Sequence, residues 1–342
     1  MRVMITGARA LISIDWAQRI KQHNCKSFVV LADSFYLPLG RFSKNIDKYV
    51  KTSSPRFSPE NYIKELSYCI DTYQINVLIP TCEEAFYISK YMHLLPKSCY
   101  CFLDNFDKLE NLHNKFTFLD LIDQNNCIKK PETLYIKDAQ ELEDWMSCNS
   151  IQEYIIKPVY SRFGSEFIEN IESFKRDYRY PLVVQQKIKG KEFCSYTIAN
   201  SGTILAHSCY HPKYKAGVGA GIYFDPVESL AIFEFCKNII QKINYTGQIG
   251  FDFIQEADGT IYPIECNPRG TSGLHFISRD MNIIDHIPDN ARNIDNNPTQ
   301  LRVQKSLYKL FLRLSYFLIK TCKTIRLHIL KIFLALQMFM VL

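Results

Sequence analysis

The chain has 342 residues, 47% hydrophobic and 22% charged, with a net charge of +6. That size admits two domains, and that apolar content excludes a disordered chain. Its 12 cysteines include no CxxC pair, which excludes a cysteine-built zinc site and fits reduced thiols used as small hydrophobes. No signal-peptide pattern opens the chain, so the expected compartment is a reducing cytoplasm.

In chain order, residues 2–6 (RVMIT) read as a strand ending at Gly7, 11–23 as a helix and 27–33 (SFVVLAD) as a second strand. A helix over 59–73 precedes a third strand at 75–81 (INVLIPT), and 99–104 (CYCFLD) is a fourth. This alternation predicts a Rossmann-like parallel sheet over 1–106, with Gly7, Asp33 and Glu83 on the ligand-facing rim. Glu83 reads equally as a helix-start acid or a substrate contact. TGARA holds one glycine where a dinucleotide fingerprint needs three, which weakens a nicotinamide dehydrogenase reading. Residues 107–124 read as a helix, followed by strands at 153–159, 181–188, 193–199, 203–210 and a pair within 248–267. Helices are expected at 138–147, 170–178 and 227–243. Hairpin-joined strands with flanking helices predict an α+β second domain over 107–290.

GFDFIQEADGTIYPIECNP (250–268) reads as a hairpin turning on Asp258-Gly259. With a two-residue tip, facing residue numbers sum to 517. Asp252 then faces Glu265, and Asn267 shares their side, while Phe251, Phe253, Tyr262, Ile264 and Cys266 make the opposite, apolar face. Facing carboxylates have β-carbons roughly 4.5–5.5 Å apart and repel. A shared proton, an arginine or a divalent cation would offset this. Asp, Glu and Asn are oxygen donors suited to Mg²⁺, and Arg269 is at hand for a phosphate or carboxylate. The competing reading is a solvent-facing charged hairpin.

These residues resemble the ATP-grasp superfamily, of the carboxylate–amine ligase type found in the carbamoyl-phosphate synthase large chain and biotin carboxylase. Asp252 and Glu265-Cys266-Asn267-Pro268-Arg269 are similar to its paired acids and Asn-Pro-Arg run. Asn114-Lys115, Ile156-Lys157-Pro158, the loop Ser161-Arg162-Phe163-Gly164-Ser165 and the stretch from Gln185 to Glu192 follow in family order. The resemblance implies an ATP-grasp module with a lid over about 118–186. It implies phosphate contacts from Lys115, Lys157, Ser161, Gly164 and Ser165, and adenine read at Gln185, Gln186, Lys187 and Ile188. It also implies ribose on Glu192, Mg²⁺ (or Mn²⁺) on Asp252, Glu265 and Asn267, and catalytic roles for Lys157 and Arg269. The implied reaction phosphorylates a carboxylate with ATP and gives the acyl group to an amine. One departure is Gln185-Gln186-Lys187, where the family often has an acid and an aromatic.

The stretch 210–224 (YHPKYKAGVGAGIYF) is read as a substrate loop through His211, Lys215 and Gly217, with Ser272 in 270–276 closing the same pocket. The competing reading is a flexible connector. After Asp295 the chain holds eight bases and no acid, without which the net charge would be −2. Read as a helix over 298–342, most of those bases share one face. That pattern suits an anionic membrane surface on the cytoplasmic side or a protein partner, and not nucleic acid. The alternative to a ligase is then a non-catalytic, membrane-associated nucleotide-binding adaptor.

Overall fold

The structure, a computed structural model, describes residues 1–160, 179–216, 220–279 and 283–288. The chain divides into two compact units, one from residues 1–103 and 274 onward, the other from 104–273. In the first, β1 (Arg2–Thr6), β2 (Phe28–Asp33), β3 (Lys48–Lys51), β4 (Val77–Ile79) and β5 (Tyr100–Cys101) form one sheet, ordered β3-β2-β1-β4-β5. Every pair is parallel. Val3, Met4, Ile5, Val29, Val30 and Leu31 are fully buried, the continuous apolar run of a strand covered on both faces. Helix α1 (Leu11–His23) buries Ile12, Trp16 and Ile20, one apolar stripe at a spacing of four. α2 (Pro59–Thr72) opens on a proline, whose missing N–H has no partner to lose in a first turn. The short α3 (Glu84–Lys90) follows β4. β3 and α3 add to the elements expected from sequence.

Within this unit Arg19, 5% exposed, donates to the carbonyls of Leu274 (2.8 Å), Ile277 (2.8 Å) and Ser278 (3.1 Å). Its Nε pairs with Asp15 at 3.1 Å, and Asp15 bonds the His275 ring at 2.9 Å. The returning segment is thereby tied to α1.

The second unit opens with α4 (Phe106–His113), capped by Asn105 accepting from the Lys108 N–H. The expected helix over 107–124 is broken here. Asn114 is extended (ψ 115°) and its side chain accepts from the N–H groups of Phe116 and Thr117, starting a separate 3-10 turn, Thr117–Leu121. Asparagine's side chain competes for these donors, so the helix ends where it stands. Lys115 falls on the bend.

β6 (Thr133–Ile136), β7 (Tyr154–Pro158) and β8 (Leu182–Gln186) make an antiparallel sheet ordered β6-β8-β7. α5 (Ala139–Cys148), capped by Asp138, packs its Leu142 with Ile136, Ile156, Leu182 and Val184. The larger antiparallel sheet runs β11-β10-β9-β12-β13, from β9 (Lys191–Asn200), β10 (Thr203–Ala216), β11 (Ala220–Val227), β12 (Gly247–Gln255) and β13 (Ile261–Asn267). Ser201 and Gly202, both at positive φ (46° and 75°), make the two-residue turn joining β9 to β10. α6 (Leu230–Lys242) puts Phe235 edge-on against Phe251 and Phe253, at centroid distances of 5.3 and 5.2 Å. That contact is the core on one face of the hairpin.

Two expectations change. The described residues of 210–224, 210–216 and 220–224, are two arms of antiparallel strands, β10 with β11, where a loop was expected. The β12–β13 tip holds three residues and not two: Gly259, at φ 92°, donates to Glu256 O, and Glu256 donates to Thr260 O. Near the tip the facing numbers therefore sum to 516, as in Ile254–Tyr262 and Phe253–Pro263. A bulge between Asp252 and Phe253 then restores 517, and Asp252 pairs with Glu265. Pro263 is tolerated because β13 is an edge strand and the irregularity lies beside it. The expected helices at 170–178 and 298–342 lie outside the described residues. Among those described, no helix is long and apolar enough to cross a membrane.

Candidate functional site

Cross-strand pairing orders the polar residues of the large sheet into rows. Asp252 faces Glu265 on β13 and Cys194 on β9, and Cys194 faces Tyr210 on β10. Paired residues share a face, so one row reads Tyr210–Cys194–Asp252–Glu265. The next reads Ser208–Tyr196–Gly250–Asn267. The segment after β13 covers part of this face. Ser208 donates to Gly273 O at 2.8 Å, and the hydroxyls of Tyr210 and Thr271 meet at 3.2 Å. A Cβ on Gly250 would lie 2.9 Å from Ser195 O and 3.0 Å from the Thr271 methyl, so the approach requires glycine.

The two carboxylates have different surroundings. Glu265 faces the Lys115 ammonium at 3.6 Å, and Lys115 is fully buried. Asp252 accepts from the Asn267 amide at 3.1 Å, and Cys194 faces it on the neighbouring strand. Burial first, then repulsion from Glu265, pushes the Asp252 carboxyl up to about 6. Burial and Asp252 in turn hold the Cys194 thiol well above its ordinary range. Arg269 donates to Asn267 Oδ1 at 2.9 Å and to Gly270 O at 3.2 Å.

Lys157, on β7, is 4% exposed, and its Nζ donates to Gln185 Oε1 at 2.8 Å. Burial and then Lys115 lower its ammonium to about 8. Gln185 completes the arrangement by donating to Thr133 Oγ1 at 3.1 Å. The side chain expected at an adenine hinge thus orients a lysine, because Gln185 is its diagonal neighbour on the same face of paired strands. The Gln186 and Lys187 N–H groups donate to Glu132 O and Glu153 O, both at 2.7 Å. Those two donors are spent within the sheet.

The fit of a divalent cation can be judged from these groups. Two carboxylates and an amide oxygen converge on one face, and the raised Asp252 pKa records repulsion that a cation would relieve. The donors are hard oxygens of the kind Mg²⁺ takes, once the Asn267 amide turns from Asp252 and Arg269. The residues fit the ion.

Other expected residues fall elsewhere. Glu192 pairs with Lys215 across the sheet edge, both partly exposed. His211 lies edge-on to Phe193 at 6.4 Å. Ser272 begins a 3-10 turn, Ser272–Phe276. Ser161, Gly164, Ser165 and Gly217 lie outside the described residues. Glu83 stands at the N-terminus of α3, in the other unit, next to the buried Glu84. Glu84, 3% exposed, accepts from Thr6 Oγ1 (2.8 Å), Cys82 N (3.0 Å) and Arg9 Nη2 (3.3 Å). Asp33 accepts from the Arg9 N–H (2.8 Å) and Nη1 (3.0 Å). This network fills the β1–β4 switch point beside Gly7, where a dinucleotide would need room, and Asp33 is committed to Arg9. The dehydrogenase reading loses its site.

Sequence reasoning missed Cys194 and His113. Cys194 becomes visible only once β9 is paired with β12. His113 precedes Lys115 by two, stacks on Tyr160 at 5.7 Å, and is lowered to about 4 by burial and by Lys115 and Arg269.

The family model of the ATP-grasp domain matches residues 112–273. The carbamoyl phosphate synthase large chain of Clostridium beijerinckii is 26% identical over 121 residues, 33% of this chain and 11% of that relative's length. An uncharacterized protein of Methanocaldococcus jannaschii is 24% identical over 212 residues, 59% of this chain and 52% of its own. The chain thus spans about a tenth of the first relative and half of the second. Among solved structures, L-amino acid ligase from Bacillus licheniformis matches with TM-score 0.59 at 16% identity, covering 80% of this chain and 68% of that one. Phosphoribosylamine–glycine ligase from Thermotoga maritima matches with TM-score 0.62 at 14% identity, covering 88% and 78%. At such identities the likeness is one of fold. Residues 112–273 of this chain are an ATP-grasp domain.

Proposed function

We propose that the chain is an ATP-dependent carboxylate–amine ligase. The observation carrying this reading is the gathering of Lys115, Lys157 and Arg269 around the face that bears Asp252, Glu265 and Asn267, from segments up to 154 residues apart in sequence. Phosphoryl transfer asks a protein for alignment and charge neutralisation more than for covalent help. Lys115 and Lys157 would hold nucleotide phosphates, with Gln185 fixing Lys157. Asp252, Glu265 and Asn267 would hold Mg²⁺, which supplies charge neutralisation between the phosphates. Arg269 would carry the substrate carboxylate or the acyl phosphate. With the Gln186 and Lys187 donors spent, the backbone of Ile188 is the hinge group left to donate to the base, and Glu192 would take the ribose. The carboxylate attacks the γ-phosphorus and ADP leaves. An amine then attacks the acyl carbon, phosphate leaves, and the amine proton passes to solvent or a base.

A library of carboxylates and amines, screened for ADP and phosphate release, tests the reading. Release should require a particular pair, and Glu265→Gln should abolish it while keeping the wild-type circular dichroism spectrum. Wild-type turnover in that variant would remove the assigned cation site.

A further inference from the structure

Lys157 stands at one end of a chain of side-chain hydrogen bonds whose other end, Thr133, has no role in the reading above. Thr133 opens β6 and pairs in register with Gln185 on β8. Gln185 Nε2 donates to Thr133 Oγ1 at 3.1 Å, and Gln185 Oε1 accepts from Lys157 Nζ at 2.8 Å. Thr133 Oγ1 in turn donates to Pro131 O at 3.0 Å. That last bond decides the sense of the whole chain. A threonine hydroxyl has one proton. With the proton given to Pro131 O, Thr133 Oγ1 can only accept, so the NH₂ end of Gln185 must face it. The amide oxygen is thereby turned to Lys157, whose ammonium has donors and no acceptor. The neighbouring backbone is held as well. Gln186 N donates to Glu132 O at 2.7 Å, and Glu132 N donates to Gln186 Oε1 at 3.2 Å.

An amide, unlike a carboxylate, has a wrong end. Turned over, Gln185 would set its NH₂ against the ammonium, leaving donors facing donors in a buried place, which is costly. In its observed sense it aims the lysine without cancelling its charge. We propose that Thr133 is a positioning residue of the nucleotide site: by fixing which end of the Gln185 amide meets Lys157, it holds the Lys157 ammonium ready for nucleotide phosphates. The inference rests on the nucleotide reading of the domain.

The test uses the full chain, with ADP titrated at constant MgCl₂ and followed by isothermal calorimetry below the melting temperature. Thermal unfolding of the same samples reports folding, and Mg²⁺·ADP should raise the melting temperature of the wild type. Thr133→Val keeps the shape of the side chain and removes its acceptor. It should weaken ADP binding by about tenfold, the scale of one hydrogen bond to a charged group. Thr133→Ala removes the same oxygen without the branched side chain and should weaken binding alike. Thr133→Ser, which keeps the hydroxyl, should bind close to wild type. In a Gln185→Glu background, where either oxygen can meet the lysine, Thr133→Val should cost little affinity. A loss there as large as in the parent would mean that Thr133 does not act through Gln185, which overturns the inference. So would valine and alanine variants that melt lower than wild type yet bind ADP equally well, since that is a packing role alone. No Mg²⁺·ADP binding by the wild type would overturn the nucleotide reading and this inference with it.

Discussion

Asp252 and Glu265 face each other in one strand pair yet differ in what neutralises them. Glu265 has Lys115, whereas the described hydrogen bond to Asp252 comes from the neutral amide of Asn267, and burial and Glu265 raise its carboxyl to about 6 from an ordinary 3.8. The folded chain therefore holds a proton that the unfolded chain has released between those values. The stability this residue contributes is complete below 3.8 and is lost as pH rises through about 6. Asp252→Asn should raise the melting temperature of the nucleotide-free protein at pH 8, with the difference shrinking at pH 4, while abolishing the Mg²⁺·ADP shift. A variant that melts lower than wild type at pH 8 would contradict the repulsion. Cation binding should also release a proton below about pH 6, measurable by calorimetry in buffers of different ionisation enthalpy. The pairing of Asp252 with Glu265 was legible from a period of two and a two-residue turn, and it holds because a bulge offsets the longer tip. The role of Gln185 was not legible. A glutamine that orients a buried lysine looks the same in sequence as one that lines a hinge, until the partner strand is known.

At the scale of elements, the β12–β13 hairpin reaches its pairing by two compensating irregularities. The three-residue tip offsets the register by one, and the bulge at Pro263-Ile264 returns it. Asp-Gly was readable as a turn, but its length was not, because the choice between two- and three-residue tips rests on where Glu256 and Thr260 bond. Deleting Ala257 at the exposed tip should leave a working Asp-Gly turn beyond the bulge and keep the Mg²⁺·ADP shift. Inserting one residue after Ile264 should instead turn Glu265 toward the α6 face, since a one-residue slip exchanges the faces of a strand. That insertion should cost both stability and the shift. Equal behaviour of the deletion and the insertion would mean that this register does not place Glu265. Long apolar strands such as β1 and β2 were legible for the reason that makes them stable, complete burial. β3 was not, because KYVK is a half-exposed edge strand flanked by lysines. The helix over 107–124 failed for a local reason, the two hydrogen bonds made by the Asn114 side chain.

At the scale of the molecule, the parallel-sheet unit is discontinuous in sequence, since the ATP-grasp domain intervenes between residue 103 and residue 274. The alternation of strands and helices made the first piece readable. The second was not, because it is short, carries no periodicity and, among its described residues, holds no strand. Its place is fixed by Arg19, whose guanidinium takes three carbonyls of that segment, and by Asp15 through His275. Burial opposes the charge on Asp15, but His275 and Arg19 outweigh it and hold the carboxyl below its ordinary range. The unit is in this sense a split protein. A polypeptide ending at Leu103 keeps Arg19 and Asp15 but loses the groups that cover them. It should be recovered poorly folded, and a synthetic peptide of residues 270–288 added in trans should restore its helical signal. Arg19→Ala in the first fragment should abolish that complementation, and rescue that ignores the substitution would show that another contact joins the pieces.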